Sequence, residues 1–129
     1  MSTLKVNNLQ DINGANNSTP SEVANGRAKV WVHFSGLAVT ATADMAGVRD
    51  SYNVSSVVDN GTGDYTINFS ITFANNDYVA CVMPRHNGRT FGPGAETSLT
   101  TTSIRVASYS GEGSLIDRQI LGLAIFGEV

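Results

Sequence analysis

The chain has 129 residues and a formal net charge of −3, and 15% of its residues are charged, against about 25% in an average soluble domain. This length suffices for one hydrophobic core and predicts a single globular domain. Nucleic acid is not expected as a partner, because phosphates are neutralised by clustered basic side chains, whereas this chain has two lysines and six mostly scattered arginines. Ser, Thr and Asn make up 37 of the 129 residues, a low-charge surface that favours membership of a larger assembly.

The first predicted element is a polar, asparagine-rich arm over residues 1–19. It has too few apolar residues to bury a core of its own. It does offer four apolar anchors, which are Leu4, Val6, Leu9 and Ile12. We interpret the segment as a docking arm that becomes ordered against a partner, and a loose terminus is the alternative. No secretion signal is predicted, because the stretch lacks an apolar core and a small-residue cleavage site.

A short helix is predicted from about Pro20 to Asn25. Thr19 precedes it as the N-cap, Pro20 occupies the first helical position, and Glu22 completes a capping box with Thr19. The pair Asn25-Gly26 predicts a left-handed stop. The arm and helix together form a predicted segment of residues 1–26, followed by a β domain of residues 27–129.

Beyond the helix the apolar periodicity changes to two residues, which predicts half-buried antiparallel strands. The predicted strands are Lys29–Phe34, Leu37–Ala43, Val48–Val58, Asp64–Phe73, Tyr78–Met83, Thr97–Ser108 and Gln119–Phe126. Gly, Asn and Ser clusters separate them. Seven or eight strands at this spacing predict an all-β fold, an antiparallel β-sandwich or barrel. The most apolar run, Ile120–Phe126, is too short to span a bilayer, so no membrane insertion is expected.

The stretch Asp59–Asp64, DNGTGD, places two aspartates, an asparagine and two glycines in six positions. A calcium loop would use the side-chain oxygens as ligands, but the spacing lacks the terminal glutamate of the twelve-residue loop. A phosphate loop would need a helix N-terminus after it, whereas a strand follows. Asn-Gly and a second glycine between two strands predict a β-hairpin. We therefore predict a turn here, with no bound ion.

The glycine-rich connection Pro84–Gly94 gathers charged, titratable and aromatic side chains, and binding residues concentrate on such loops. Its candidate receptor-facing residues are Arg85, His86, Asn87, Arg89 and Phe91. A second outer loop, Ser110–Ser114, is also a candidate. The alternative is a solvated turn with ordinary surface arginines.

No catalytic, metal-binding or cofactor-binding residues are predicted, and the chain is not expected to be an enzyme. Cys81 is the single cysteine, which excludes an internal disulfide and fits a reducing cytoplasm, and its apolar strand predicts a buried side chain rather than a nucleophile. Only His33 and His86 could supply imidazole to a triad or zinc site. Four carboxylates could form an acid–base pair for polysaccharide cleavage, although nothing fixes their separation. They are Asp50, Asp59, Asp64 and Asp117.

Three stretches resemble a known group of proteins. They are STLKV at residues 2–6, GRAK at residues 26–29 and RDSYNVSSVVDNGTGDYT at residues 49–66. In these stretches the chain resembles small virion proteins and fibre domains of bacteriophages, especially phages of marine bacteria and cyanobacteria. The match is close over roughly the first 70 residues, a length that makes it more specific than a short motif.

The resemblance implies a homotrimeric tail fibre or fibre-like virion component, assembled in the cytoplasm of the host bacterium. Residues 1–26 would dock onto other virion proteins and trimerise, and residues 27–129 would be displayed for attachment to a host surface glycan. The chain departs from the pattern at His33 and Ser35, which are asparagines there. Two alternatives remain open: a capsid decoration, cement or head-fibre protein without receptor binding, and a stand-alone carbohydrate-binding module.

Overall fold

The computed structural model describes residues 1–84, 91–93 and 99–129. Within these residues it has one helix, α1 (Pro20–Gly26), followed by eight strands. These are β1 (Val30–Phe34), β2 (Val48–Tyr52), β3 (Val54–Gly61), β4 (Asp64–Phe69), β5 (Val79–Pro84), β6 (Phe91–Pro93), β7 (Ser103–Ser108) and β8 (Leu121–Phe126). No helix in these residues is long and apolar enough to cross a membrane.

The strands form two four-stranded sheets, which confirms the predicted all-β, sandwich-like fold. The first sheet has the order β2-β1-β8-β5 and the second sheet has the order β3-β4-β7-β6. All pairings between the described strands are antiparallel. Because β1 pairs with β8, the start of the β domain lies beside the end of the chain.

The core lies between the sheets and is built by the alternating residues of each strand. On β1 the side chains of Val30, Val32 and Phe34 are buried, while the residues between them are half-buried on the opposite side. Phe34 of the first sheet meets Tyr65 of the second sheet edge to face, with ring centroids 5.3 Å apart, a favoured aromatic geometry. The period-two pattern of the sequence therefore corresponds to one inward and one outward face per sheet.

Helix α1 begins as predicted, with both hydrogen bonds of the Thr19–Glu22 capping box present. The predicted left-handed stop is wrong. The helix continues through Gly26, and Arg27 leaves it in an extended conformation with φ −98° and ψ 148°. The Lys29 amide then donates to the Ile125 carbonyl at 2.8 Å, because pairing with β8 requires an extended chain from this point.

The predicted strand Leu37–Ala43 is wrong. The amides of Ala38 and Val39 both donate to the carbonyl of Ser35, so the chain turns immediately after β1. Only Val39 in this segment enters the core, and Leu37 is exposed. A short apolar alternation cannot by itself separate a strand from a turn with one buried anchor.

The predicted strand Val48–Val58 is two strands that belong to different sheets. Asn53, with φ 56°, adopts the left-handed region that asparagine tolerates better than most residues. Its side-chain amide donates to the Lys29 carbonyl at 2.8 Å, which ties the crossing point to the start of β1.

The strand predicted from Thr97 begins at Ser103, because the Thr100 hydroxyl accepts the amides of Thr102 and Ser103 in a turn.

Candidate functional site

The hairpin predicted for the DNGTGD stretch is confirmed. Strands β3 and β4 pair from Val54 and Phe69 to Gly61 and Asp64, with an irregularity after Asp59. Gly61 and Gly63 have φ values of 134° and 68°, a range in which glycine is unstrained. The Asp59 carboxylate accepts the Gly61 amide at 2.7 Å, so the turn itself uses this acid.

The second acid of the stretch is held by an arginine from the neighbouring strand. Arg105 Nε donates to Asp64 Oδ1 at 2.8 Å, and this hydrogen bond lowers the pKa of Asp64. The Asn60 amide donates to Thr66 Oγ1 at 2.9 Å. Both carboxylates considered for calcium, those of Asp59 and Asp64, therefore accept hydrogen bonds from the hairpin and the neighbouring strand. No group of three or more His, Cys, Asp or Glu side chains is placed to hold a metal within the described ranges.

Asp117 joins the hairpin to the segment that precedes β8, an arrangement that we call the Asp117 clamp. Its Oδ1 accepts the amide of Gly63 at 2.7 Å and the hydroxyl of Tyr65 at 2.7 Å. The Ser108 amide donates to the Gly63 carbonyl at 2.7 Å, so three segments meet at one glycine. Local sequence carries no sign of this role, because Asp117 is 54 residues from Gly63 along the chain.

The raised pKa values of two tyrosines predict a loss of stability at alkaline pH. Burial, followed by the hydrogen bond to Asp117, raises the pKa of Tyr65, and burial raises the pKa of Tyr78 to about 12. The folded state therefore binds these protons more tightly than the unfolded state, whose tyrosines titrate near pH 10. The stabilisation is complete below pH 10 and is lost as the pH rises towards the folded-state values, by about 1.4 kcal/mol per pH unit for each tyrosine.

Urea unfolding followed by circular dichroism from about pH 8 to about pH 12 measures this effect. We expect a constant free energy of unfolding up to about pH 9.5 and a decline above it. The Tyr78→Phe variant should show a shallower decline, because it removes one of the two titrating groups. A free energy of unfolding that stays level to about pH 11.5 in the unmodified chain would contradict the prediction.

The fold divides the catalytic candidates among the described residues into two groups. His33 lies opposite Asp50 in the β1–β2 register, whereas Asp59 and Asp64 lie on the β3–β4 hairpin that Asp117 contacts through Gly63 and Tyr65. The prediction that Cys81 is buried is wrong, since its side chain is exposed. Cys81 lies on the edge strand β5, on the outer side of the first sheet.

The proposed receptor-facing residues fall largely outside the described residues. These are Arg85, His86, Asn87 and Arg89; Phe91 begins β6, where its backbone pairs with Ser108. The other candidate loop is a tight turn in which the Ser110 amide donates to the Ser114 carbonyl at 2.7 Å. Their role in recognition stays a prediction.

The N-terminal arm exposes its apolar anchors. The main chain of Leu9 pairs with that of Ser18 through hydrogen bonds of 2.7 and 2.8 Å. Between them the Asp11 carboxylate accepts the amides of Asn13 and Ala15. The arm is thus shaped by its own hydrogen bonds, while the side chains of all four anchors are exposed, with Leu4 82% accessible and Leu9 46% accessible.

The outer side of the first sheet, which faces away from the core, is largely apolar. In the register of the sheet Trp31 neighbours Tyr52 and Ala124, and Cys81 also neighbours Ala124. We call this surface the apolar face. Its members are Trp31, Tyr52, Val79, Cys81, Met83, Ala124 and Phe126. Tyr52, Val79 and Met83 on the edge strands are 50%, 63% and 52% exposed.

A shallow groove of about 310 Å³ crosses the apolar face between β1 and β5. Its lining includes His33, Cys81, Met83 and Gly122. A Cβ on Gly122 would lie 3.2 Å from the Met83 methyl, so Met83 covers this glycine closely. The Nε2 atom of His33 is buried, and no described residue is its hydrogen-bond partner.

Comparison of the chain with models of protein families, with curated proteins and with solved structures found no match.

Proposed function

We propose that the chain is a structural protein of a bacteriophage virion, a fibre-like component that forms a homotrimer. The observation that carries the proposal is the exposed arm. Four apolar anchors face solvent on a segment without its own core, and burying one such side chain in a partner is worth about 1.5–3 kcal/mol. The resemblance of residues 2–66 to phage virion proteins supports the same assignment.

In this proposal residues 1–26 dock onto other virion proteins and help to trimerise the chain, and the β-sandwich faces outward. The connections at the ends of the strands, Pro84–Gly94 and Ser110–Ser114, are then available to a host surface glycan, because loops on a rigid sandwich are frequent binding positions. The protein is assembled in the bacterial cytoplasm and resides in the virion.

An arm of this kind also suits a capsid decoration or head-fibre protein that binds no receptor. The two functions differ in where the protein sits on the particle. Electron microscopy with a gold-labelled antibody against residues 27–129 would separate them, since a tail fibre is labelled at the tail and a decoration protein over the head.

Deleting residues 1–18 tests the proposal in a phage whose genome encodes this chain. We expect the truncated chain to be missing from purified particles, because its apolar anchors are gone. It should still fold, since the Leu9–Ser18 pairing lies within the deleted arm and the Thr19 cap remains. Immunoblotting of particles and the thermal unfolding of the purified chain measure the two results.

A matched control keeps the length of the arm. Replacing Asn7, Asn8 and Asn13 by serine removes amides but no apolar anchor, and this variant should be incorporated normally. Replacing the four anchors by serine should reproduce the deletion. Incorporation of the truncated chain at the level of the intact chain would overturn the proposed function.

A further inference from the structure

We propose that the apolar face is an interface between copies of this chain, and that the N-terminal arm of a second copy lies across it. The inference rests on the proposed function, because it names the surface through which the virion protein assembles. It is carried by the composition of the face, by the exposed anchors of the arm, and by the place where the arm joins the sandwich.

The two outer faces of the sandwich differ in chemistry. The second sheet presents Asp64, Thr66, Asn68, Ser103 and Arg105 among its outward positions, which is the usual polar outer face of an antiparallel sheet. Of the corresponding positions of the first sheet, seven are aromatic, aliphatic or sulfur-containing, and the others are Asp50, His33 and Gly122. Apolar surface that is continuous over four strands marks an interaction site.

The charge pattern favours another copy of this chain as the occupant. None of the seven side chains of the apolar face is charged; on the same outer side, Asp50 lies on the edge strand β2, and His33 lines the groove on β1. Burying an unpaired charge is costly, so a suitable partner is an apolar segment with few charges. The arm is such a segment: from Leu4 to Leu9 it contains three exposed apolar residues and a single charge, that of Lys5.

The arm also joins the β-sandwich at the first sheet, which carries the apolar face. Helix α1 connects to β1 where the Lys29 amide donates to the Ile125 carbonyl, next to the end of the apolar face formed by Val79 and Phe126. The Leu9–Ser18 pairing folds residues 9–18 back on themselves, which leaves residues 1–8 to extend. Eight extended residues can reach about 27 Å, whereas four strands are about 19 Å wide. An arm of this length can leave one copy and cross the face of its neighbour.

The area of the apolar face explains why the interface needs both the face and the arm. Five residues on each of four strands cover about 300 Å², whereas a stable interface buries about 800 Å² on each partner. The face alone is too small to hold two copies together, and the arm adds the missing area. Exchange of arms in one direction around a ring closes as a cyclic oligomer, which includes the trimer.

The reactivity of the Cys81 thiol shows whether the apolar face is covered in the unmodified chain. We expect its reaction rate with a maleimide to fall at least tenfold between about 1 µM and about 100 µM protein, as mass action drives association and covers the face. Sedimentation velocity should show a shift from monomer to trimer over the same range. A rate and a mass that do not change with concentration would overturn the proposal.

Met83→Glu places a charge on the apolar face at a position that is 52% exposed in one copy, so the variant should fold. We expect it to remain monomeric at about 100 µM, with Cys81 reacting at the rate of the dilute chain. The chain without residues 1–18 should behave in the same way. Thr66→Glu, on the outer side of the second sheet, is the matched control and should associate like the unmodified chain.

The remaining outcomes separate the interface from its rivals. If the Met83→Glu variant associates as strongly as the unmodified chain, the apolar face is not the interface. Protection of Cys81 in a monomer would assign the cover to the chain's own arm, and protection only with added envelope polysaccharide would assign it to a glycan; both overturn the proposal. A different result would separate the two proposals: if the unmodified chain associates as expected but the chain without residues 1–18 is incorporated into particles at the normal level, the proposed function is overturned and the interface stands.

Discussion

The Gly63→Ala variant should lose about 3 kcal/mol or more of its free energy of unfolding. Two effects add at this buried position. Its φ of 68° lies in the left-handed region, which an alanine adopts only at a cost of about 1 kcal/mol. A Cβ there would also lie 2.5 Å from the Ile116 amide nitrogen and 2.6 Å from the Ser108 carbonyl oxygen, and backbone atoms cannot move away as a flexible side chain can.

Alanine substitutions at Gly113 and Gly111 separate the cost of the positive φ from the cost of the steric clash. Gly113 has φ 84°, but a Cβ added there would meet nothing within 4 Å, and Gly111 has neither a positive φ nor a close neighbour. We expect Gly113→Ala to cost about 1 kcal/mol and Gly111→Ala less than about 0.5 kcal/mol. Urea unfolding curves of the three variants provide the comparison. A Gly63→Ala variant as stable as Gly113→Ala would show that Ser108 and Ile116 relax without penalty.

The DNGTGD turn illustrates how much local sequence can predict. Asn-Gly, a second glycine and flanking alternation are enough for the hairpin, because turn chemistry depends on neighbours in sequence. The same stretch contains no sign that Gly63 is buried beneath Ser108 and Ile116. That requirement comes from a segment about 50 residues away and is visible only when the strands are in register.

The apolar face could not be predicted, for a related reason. The pattern of β1 places Trp31 and His33 on the side opposite the core, and strand alternation alone predicts that side to be solvated. Its character depends on which strands lie beside β1. Strand β8 follows β1 by about 90 residues and brings Ala124 and Phe126, and β5 then adds Cys81. Each strand separately looks like an ordinary half-buried or buried strand, and only the order β2-β1-β8-β5 makes their outer residues continuous.

The arm shows the opposite case. Its four anchors can be recognised from composition alone, because a polar segment with isolated apolar residues cannot fold independently. Their exposure agrees with that expectation. Composition could not supply a surface to receive these anchors; in our proposal that surface is the apolar face of a second copy.

The Asp117→Ala variant should lose about 2–4 kcal/mol of its free energy of unfolding. The carboxylate accepts hydrogen bonds from the Gly63 amide and the Tyr65 hydroxyl, and both donors are in buried residues. Removing it leaves two buried donors without that acceptor, whereas Tyr65→Phe removes one donor and leaves the other bond intact. Tyr65→Phe should therefore cost less, about 1 kcal/mol.

A double-mutant cycle with urea unfolding measures the coupling between these side chains. The loss in the Asp117→Ala/Tyr65→Phe double variant should be smaller than the sum of the single losses by about 1 kcal/mol, because the two groups share one hydrogen bond. Asp117→Asn is the matched control, since its amide oxygen can still accept both donors, and it should retain most of the stability. Strict additivity would mean that the Tyr65–Asp117 hydrogen bond contributes nothing, and the clamp would then act through Gly63 alone.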